Sequence, residues 1–203
     1  MTDMVNAWID WLLQTLGLSG PAILLVTIPL AFLQSLFGFF PFVILIVLHV
    51  SVFGVICGML ASWLICNAGG LFVFYLSRRY LFHWFDRRWG RRLKRYDKWQ
   101  RYLNRYGIWT LLLLRTIPII PNNIINIMSA VSPLHLPAFL WGTALGNLSY
   151  IWLFGTISSS LIVPREEWGF YLTGYGMFII VLLAVFIWKH WGHLQEDKRE
   201  RAV

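Results

Sequence analysis

The chain has 203 residues, 58% of them hydrophobic and 13% charged, with a formal net charge of +8. A soluble domain of this length cannot bury that much apolar surface, so the composition excludes one and requires a membrane. His49, His83, His135, His190 and His193 form no metal-ligand set, and Cys57 and Cys66, inside one apolar stretch, read as small buried hydrophobes; no metal or cofactor is expected.

The segment 1–19 lacks the basic region of a signal peptide and reads as retained. Its Val5, Trp8, Ile9, Leu12, Leu13 and Leu16 recur at helical spacing, as in a helix lying at the membrane interface. A first repeat is expected over 20–77. No Asp, Glu, Lys or Arg occurs from position 11 to position 77. At about 20 residues per crossing, that length holds two crossings and one excursion that does not cross. The crossings are placed from Pro21 to Phe39 and from Val55 to Ser77. The excursion falls at about 38–54, where Gly38, Pro41 and Gly54 interrupt the apolar run. Gly58, Gly69 and Gly70 along the second crossing let neighbouring helices approach closely.

Eleven of the 17 basic residues lie between Arg78 and Arg105, against two acids, Asp86 and Asp97. Within 78–106, Phe85, Trp89, Leu93, Tyr96, Leu103 and Tyr106 recur every three or four residues among these cations. That pattern predicts a basic amphipathic helix on the cytoplasmic membrane surface, in contact with anionic lipid. The same charges also serve simply to fix topology. Basic residues interleaved with aromatics are compatible with nucleic acid, but tethering between membrane segments argues against such a partner.

A second repeat is expected over 107–160, with an excursion at about 111–131 and a crossing from Leu134 to Ile157. The loop 158–167 carries Arg165 beside Glu166 and Glu167. A last crossing follows at 168–189, and the tail 190–203 is again basic. Counting positive charges places 78–105 and both termini in the cytoplasm. The expectation is a single membrane domain over 1–203: an all-α polytopic membrane protein with about four full crossings and the basic cytoplasmic helix. Its two excursions are opposed re-entrant hairpins in an inverted repeat.

The second excursion reads "LLLLRTIPIIPNNIINIMSA" and holds Arg115, the one charge between 106 and 164. Pro118 and Pro121 each remove a backbone donor and disfavour helix in the residue before. In lipid such breaks survive only inside protein or beside a wet cavity. Asn122, Asn123 and Asn126 supply donors and acceptors for the freed carbonyls or for a ligand. Arginine stays ionised, and at mid-depth its charge is costly by roughly 3 kcal/mol or more, so it requires an anion or a route to water. One reading makes Arg115 a functional cation at a broken hairpin tip. The other has its long side chain reach the cytoplasmic interface, with the asparagines joining helices.

The pattern Arg115-x-x-Pro118-x-x-Pro121, with Asn126, Ala130, Phe139, Gly146 and Gly155 after it, resembles the second hairpin of the DedA/VTT superfamily, particularly its SNARE-associated Golgi protein branch. Pro41, Val52-Phe53-Gly54, Gly58, Gly70 and Ser77-Arg78-Arg79 agree with the first half. The resemblance spans roughly residues 20–160. It implies opposed re-entrant hairpins and movement of lipids between leaflets. Members are associated with flipping undecaprenyl phosphate or phospholipids, and with lipid scrambling in eukaryotes. Gln34 stands where many bacterial members carry a glutamate, Pro121 where many carry a second arginine, and Ala130-Val131 where Ala-Gly is usual.

The leading expectation is translocation of a phosphate-bearing lipid. Arg115, Asn122, Asn123 and Asn126 hold the head group, and the region of Gln34 and Pro41 completes a polar groove. Pro41, Gly54, Pro118 and Pro121 supply the hairpin breaks. The partners are then membrane lipids through their phosphates, in a bacterial plasma membrane. A secondary transporter of a small anionic solute is the alternative, although no carboxylate lies between Asp10 and Asp86 or between Asp97 and Glu166 to couple protons. A non-catalytic scaffold binding anionic lipid is the third. No enzyme is expected, since Ser158, Ser159 and Ser160 have no paired base and no phosphate loop is present.

Overall fold

The computed structural model describes residues 20–93, 107–109, 111–116, 120–132, 134–159 and 168–200, with side chains described outside 81–93 and 189–200. The expectations for 1–19, for Pro118 and for the loop from 160 to 167 lie outside these residues. Among the described residues all regular structure is helical. A 3-10 turn, Gly20–Ile23, leads into α1 (Leu24–Phe37), followed by α2 (Val43–Phe53) and α3 (Val55–Leu93). A short apolar helix α4 (Gly107–Thr116) opens the second half. It is followed by α5 (Asn122–Val131), α6 (Leu136–Ser159) and α7 (Trp168–Glu200).

Local chemistry sets the breaks. Apolar helix formers carry α1 up to Gly38, whose left-handed backbone (φ 68°, ψ 31°) suits a residue without Cβ. Its N–H returns to the Gln34 carbonyl at 2.7 Å, closing the helix end. Pro41 then opens the next helix, its carbonyl accepting from the Ile44 N–H at 3.1 Å. Gly54 (φ 78°, ψ 172°) separates α2 from α3 by a single residue, a conformation open to glycine alone at low cost. In the second half Pro121, with ψ 136°, precedes α5, and its carbonyl accepts from Ile124 and Ile125. Each half thus runs helix, break, short helix, break, long helix.

Among the described residues, three helices are long and apolar enough to cross a membrane: Gly20–Phe37, Val55–Tyr80 and Gly169–Trp188. They match three of the four expected crossings. The fourth, α6, has 24 residues, about 36 Å at 1.5 Å per residue, and so has the length to cross. Its composition is too polar to stand among the three, because Thr143, Asn147, Ser149, Thr156, Ser158 and Ser159 are buried along it. A helix walled by protein need not match lipid. By contrast α2, with 11 residues, is about 16 Å long, half of a roughly 30 Å hydrocarbon core.

One boundary differs from expectation. The basic stretch does not begin a separate helix at 78, because α3 runs without interruption from Val55 to Leu93. Arginine is a good helix former, and no proline stops the chain where its apolar part ends. Tyr96, Leu103 and Tyr106 lie outside the described residues. In the same way α7 continues to Glu200, through most of the expected tail.

Helix α3 is the hub and packs against α1, α2, α5 and α6. One apolar cluster joins Ala31, Phe42, Leu45, Ile46, Val50, Ile65, Cys66 and Ile151. A second joins Phe74, Leu111, Ile125, Ala130, Leu134 and Phe139. Leu25, Leu33, Ile56, Leu60 and Leu64 face outward, as a lipid-facing surface requires. Helix α7 rests on α6 through Trp152, whose indole donates to the Tyr171 carbonyl at 3.1 Å.

Candidate functional site

Two polar nodes interrupt the apolar packing, one in each half. In the first, His49 of α2 is fully buried between Thr27 of α1 and Ser62 of α3. Its ring nitrogens lie 2.8 Å from the Ser62 hydroxyl and 2.9 Å from the Thr27 hydroxyl. This node joins the three helices of its half and holds only neutral partners.

The second node is built on Arg115, the penultimate residue of α4, which is 2% exposed. Nη1 donates to Asn147 Oδ1 at 3.0 Å and to Asn122 Oδ1 at 3.3 Å. Nη2 donates to Asn126 Oδ1 at 2.6 Å. Asn122 and Asn126 reach the same cation because residues four apart share a helix face. Asn147 in turn donates to Asn67 Oδ1 at 3.2 Å, and Asn67 donates to the Trp63 carbonyl at 2.7 Å. The chain of amides therefore ties α4, α5, α6 and α3 together. The guanidinium also stands 5.8 Å from the centroid of the Phe139 ring, within cation–π range.

The backbone makes room for this cation. A Cβ on Gly146 of α6 would lie 2.7 Å from Arg115 Cβ and 3.0 Å from its Cδ, so only glycine lets the stem pass. Gly70 lies close under Asn126, whose Oδ1 would stand 3.3 Å from an added Cβ, a tight contact that a small shift of the amide relieves.

Position along the helices separates the two readings of Arg115. Asn67 lies near the middle of the Val55–Tyr80 span and Asn147 near the middle of α6. At 1.5 Å per residue, Asn67 is about 18 Å of helix from its nearer end and Asn147 about 16 Å from its own. Bonded to Asn147, which bonds Asn67, the guanidinium stands level with the middle of these two helices rather than with their ends, and the asparagines around it join helices. Among the described residues no acid compensates the charge: the acceptors are the amide oxygens of Asn122, Asn126 and Asn147, and Nε has no partner.

The other expected site residues divide. Asn123, one position on from Asn122, turns to a different face, and its amide packs directly against Gly38. The two helix breaks therefore touch, Asn123 from the second half against Gly38 of the first. Gln34 is not joined to Arg115 by any hydrogen bond; its Nε2 donates to the Phe40 carbonyl at 3.0 Å, within the α1–α2 break. Pro41, Gly54 and Pro121 stand at the breaks as expected. Asn147, Asn67 and Phe139 were not among the expected site residues. The available signal was a lone amide in each of two otherwise apolar crossings.

No curated protein and no solved structure matches this chain. The family model of the VTT domain matches residues 40–160, from the first break through the last residues of α6, and so includes the whole Arg115 node, every helix that meets Arg115, and His49 and Ser62 of the first node. Taken with three helices able to cross a membrane, the match over well over half of the sequence makes this chain an integral membrane protein of the VTT-domain family.

Proposed function

We propose that this protein moves a phosphate-bearing lipid between the leaflets of its membrane, with Arg115 binding the head group. The observation that carries the reading is a buried guanidinium, level with the middle of the helices around it, with no counter-ion among the described residues and one unpartnered donor. An arginine fork binds phosphate through parallel charge-assisted hydrogen bonds, stronger than those it makes to amides. Asn122, at 3.3 Å, makes the longest of its three bonds and is the one an entering oxygen displaces most easily. Asn126 and Asn147 then keep the fork oriented.

In this account α4 and α5 form one re-entrant hairpin, and the α1–α2 break with α2 forms the other, entering from opposite faces. Their short helices support it, as does the contact of Asn123 with Gly38, where the two tips meet. Basic residues of 78–105 and of the C-terminal region face the cytoplasm, and the first of these segments contacts anionic lipid. The head group passes along the tips while the acyl chains remain in lipid, so no enclosed pore is required. Reconstitution into liposomes carrying fluorescent lipid tests the proposal: transbilayer movement above that of protein-free vesicles supports it, and movement equal to them refutes it.

A further inference from the structure

Among the described residues, four buried polar side-chain atoms have no hydrogen-bond partner: Arg115 Nε and the hydroxyl oxygens of Thr116, Thr143 and Thr156. Buried polar atoms in folded proteins are nearly always paired, so each orphan marks a partner that the chain does not supply. Two of them, Arg115 Nε and Thr143 Oγ1, belong to the packed faces of α4 and α6. Phe139, Thr143 and Asn147 follow one another at intervals of four along α6 and so lie on one stripe of that helix. Both outer members meet the same cation, Phe139 with its ring 5.8 Å away and Asn147 at 3.0 Å. Thr143, 2% exposed, stands between them. Gly142 and Gly146, flanking it, pack against Leu111 and the stem of Arg115, which fixes this face of α6 towards α4.

A threonine inside a helix ordinarily donates to the carbonyl four residues before it. Ser129, Ser158 and Thr173 do so here, each at 2.6 Å. Thr143 does not, and its hydroxyl remains uncommitted on the stripe of α6 whose outer members meet a guanidinium with an equally uncommitted Nε.

We infer that Thr143 Oγ and Arg115 Nε together form the cradle for one oxygen pair of the bound phosphate group. The inference rests on the anion-binding reading of Arg115 and adds a second, uncharged donor to it. Asn122, Asn126 and Asn147 spend their oxygens on the guanidinium, so they offer it no competition for this side. The ligand class is a tetrahedral oxyanion, borne by a lipid or free.

Thr143→Val removes the hydroxyl with little change of shape, and Thr143→Ser retains it. Because the hydroxyl has no partner within the protein, the valine variant is expected to fold with an unfolding midpoint no lower than that of the parent. The full chain, purified in detergent, is titrated calorimetrically with inorganic phosphate, with dioctanoyl phosphatidic acid and with dioctanoylglycerol as the phosphate-free control. Thr143→Val is expected to bind both phosphate probes about ten-fold more weakly, as loss of a hydrogen bond to a charged group implies, and Thr143→Ser close to the parent. Binding of phosphatidic acid alone assigns the cradle to a lipid head group; equal or better binding of inorganic phosphate assigns it to a free anion. Parent-like affinity in Thr143→Val, with affinity lost in Arg115→Ala, overturns the role of Thr143 and leaves that of Arg115 standing. No binding of either phosphate probe by the parent overturns both.

Discussion

Gly146→Ala is the smallest change that bears on the buried cation. The added methyl would lie 2.7 Å from Arg115 Cβ, where ordinary carbon contacts begin at 3.4 Å, so the two helices must part by about 0.7 Å. Arg115 Cβ is fixed to the backbone of α4, so no rotamer change relieves the overlap. A shift of that size carries the 3.0 Å bond to Asn147 beyond hydrogen-bond range. Overpacking of this kind costs about 1–3 kcal/mol, offset by about 0.5–1 kcal/mol from replacing a helical glycine with alanine. The expected net loss is up to about 2.5 kcal/mol and centres on about 1 kcal/mol, read as a fall of about 2–4 °C in the unfolding midpoint for each kcal/mol. Transport per folded molecule should fall as well, because the fork loses one of its three guides. Gly176→Ala is the control: nothing lies within 4 Å of its Cβ, so it should be neutral or slightly stabilising. A Gly146→Ala protein with the midpoint and transport rate of the parent would refute the close packing of α6 on Arg115 and the reasoning built on it.

Asn126→Asp places a carboxylate where an amide oxygen now stands 2.6 Å from Nη2; the built-in counter-ion should raise stability while transport falls at least about ten-fold, and a fully active variant would remove the need for a vacant cation. His49→Ala breaks both bonds that join α1 to α2 and α2 to α3, and should lower stability by about 2–4 kcal/mol in denaturant or thermal unfolding. Cysteines introduced at Arg165 and at Tyr102, in a background lacking Cys57 and Cys66, should react with an impermeant reagent from opposite sides of the membrane. Reaction from the same side would contradict the proposed topology.

Arg115 was legible because a charge alone in an apolar segment has no trivial explanation, and Asn122 and Asn126 because a four-residue interval puts them on its side of α5. The breaks were legible for a related reason: glycine and proline act on their own backbone, whatever surrounds them. What escaped was set by tertiary contact. Asn147 meets Asn67 across 80 positions of sequence, and nothing local to either residue indicates the other. Gln34 was expected in the groove through resemblance, yet the left-handed turn at Gly38 leaves the Phe40 carbonyl within reach and the amide closes on it. The crossing expected to end near Ser77 ends near Tyr80, but the helix itself runs on to Leu93, because charge marks where a helix leaves lipid, whereas helices end at breakers and caps. In α6 the opposite held: burial among other helices permits polar residues in a segment long enough to cross, so hydropathy understates it.

The central claim is that Arg115 binds a phosphate rather than merely pinning four helices together, and substitution at this one position tests it most directly. Arg115→Lys keeps the charge but replaces a planar fork with a point donor that cannot hold two oxygens side by side. Arg115→Ala removes both. Rates of fluorescent-lipid movement are measured in liposomes at equal amounts of folded protein, with folding checked by gel filtration. The account predicts that the lysine variant loses most of the activity, about ten-fold or more, and the alanine variant nearly all of it, while folded protein is recovered from both. A lysine variant as active as the parent, or an alanine variant that still moves lipid, would contradict it.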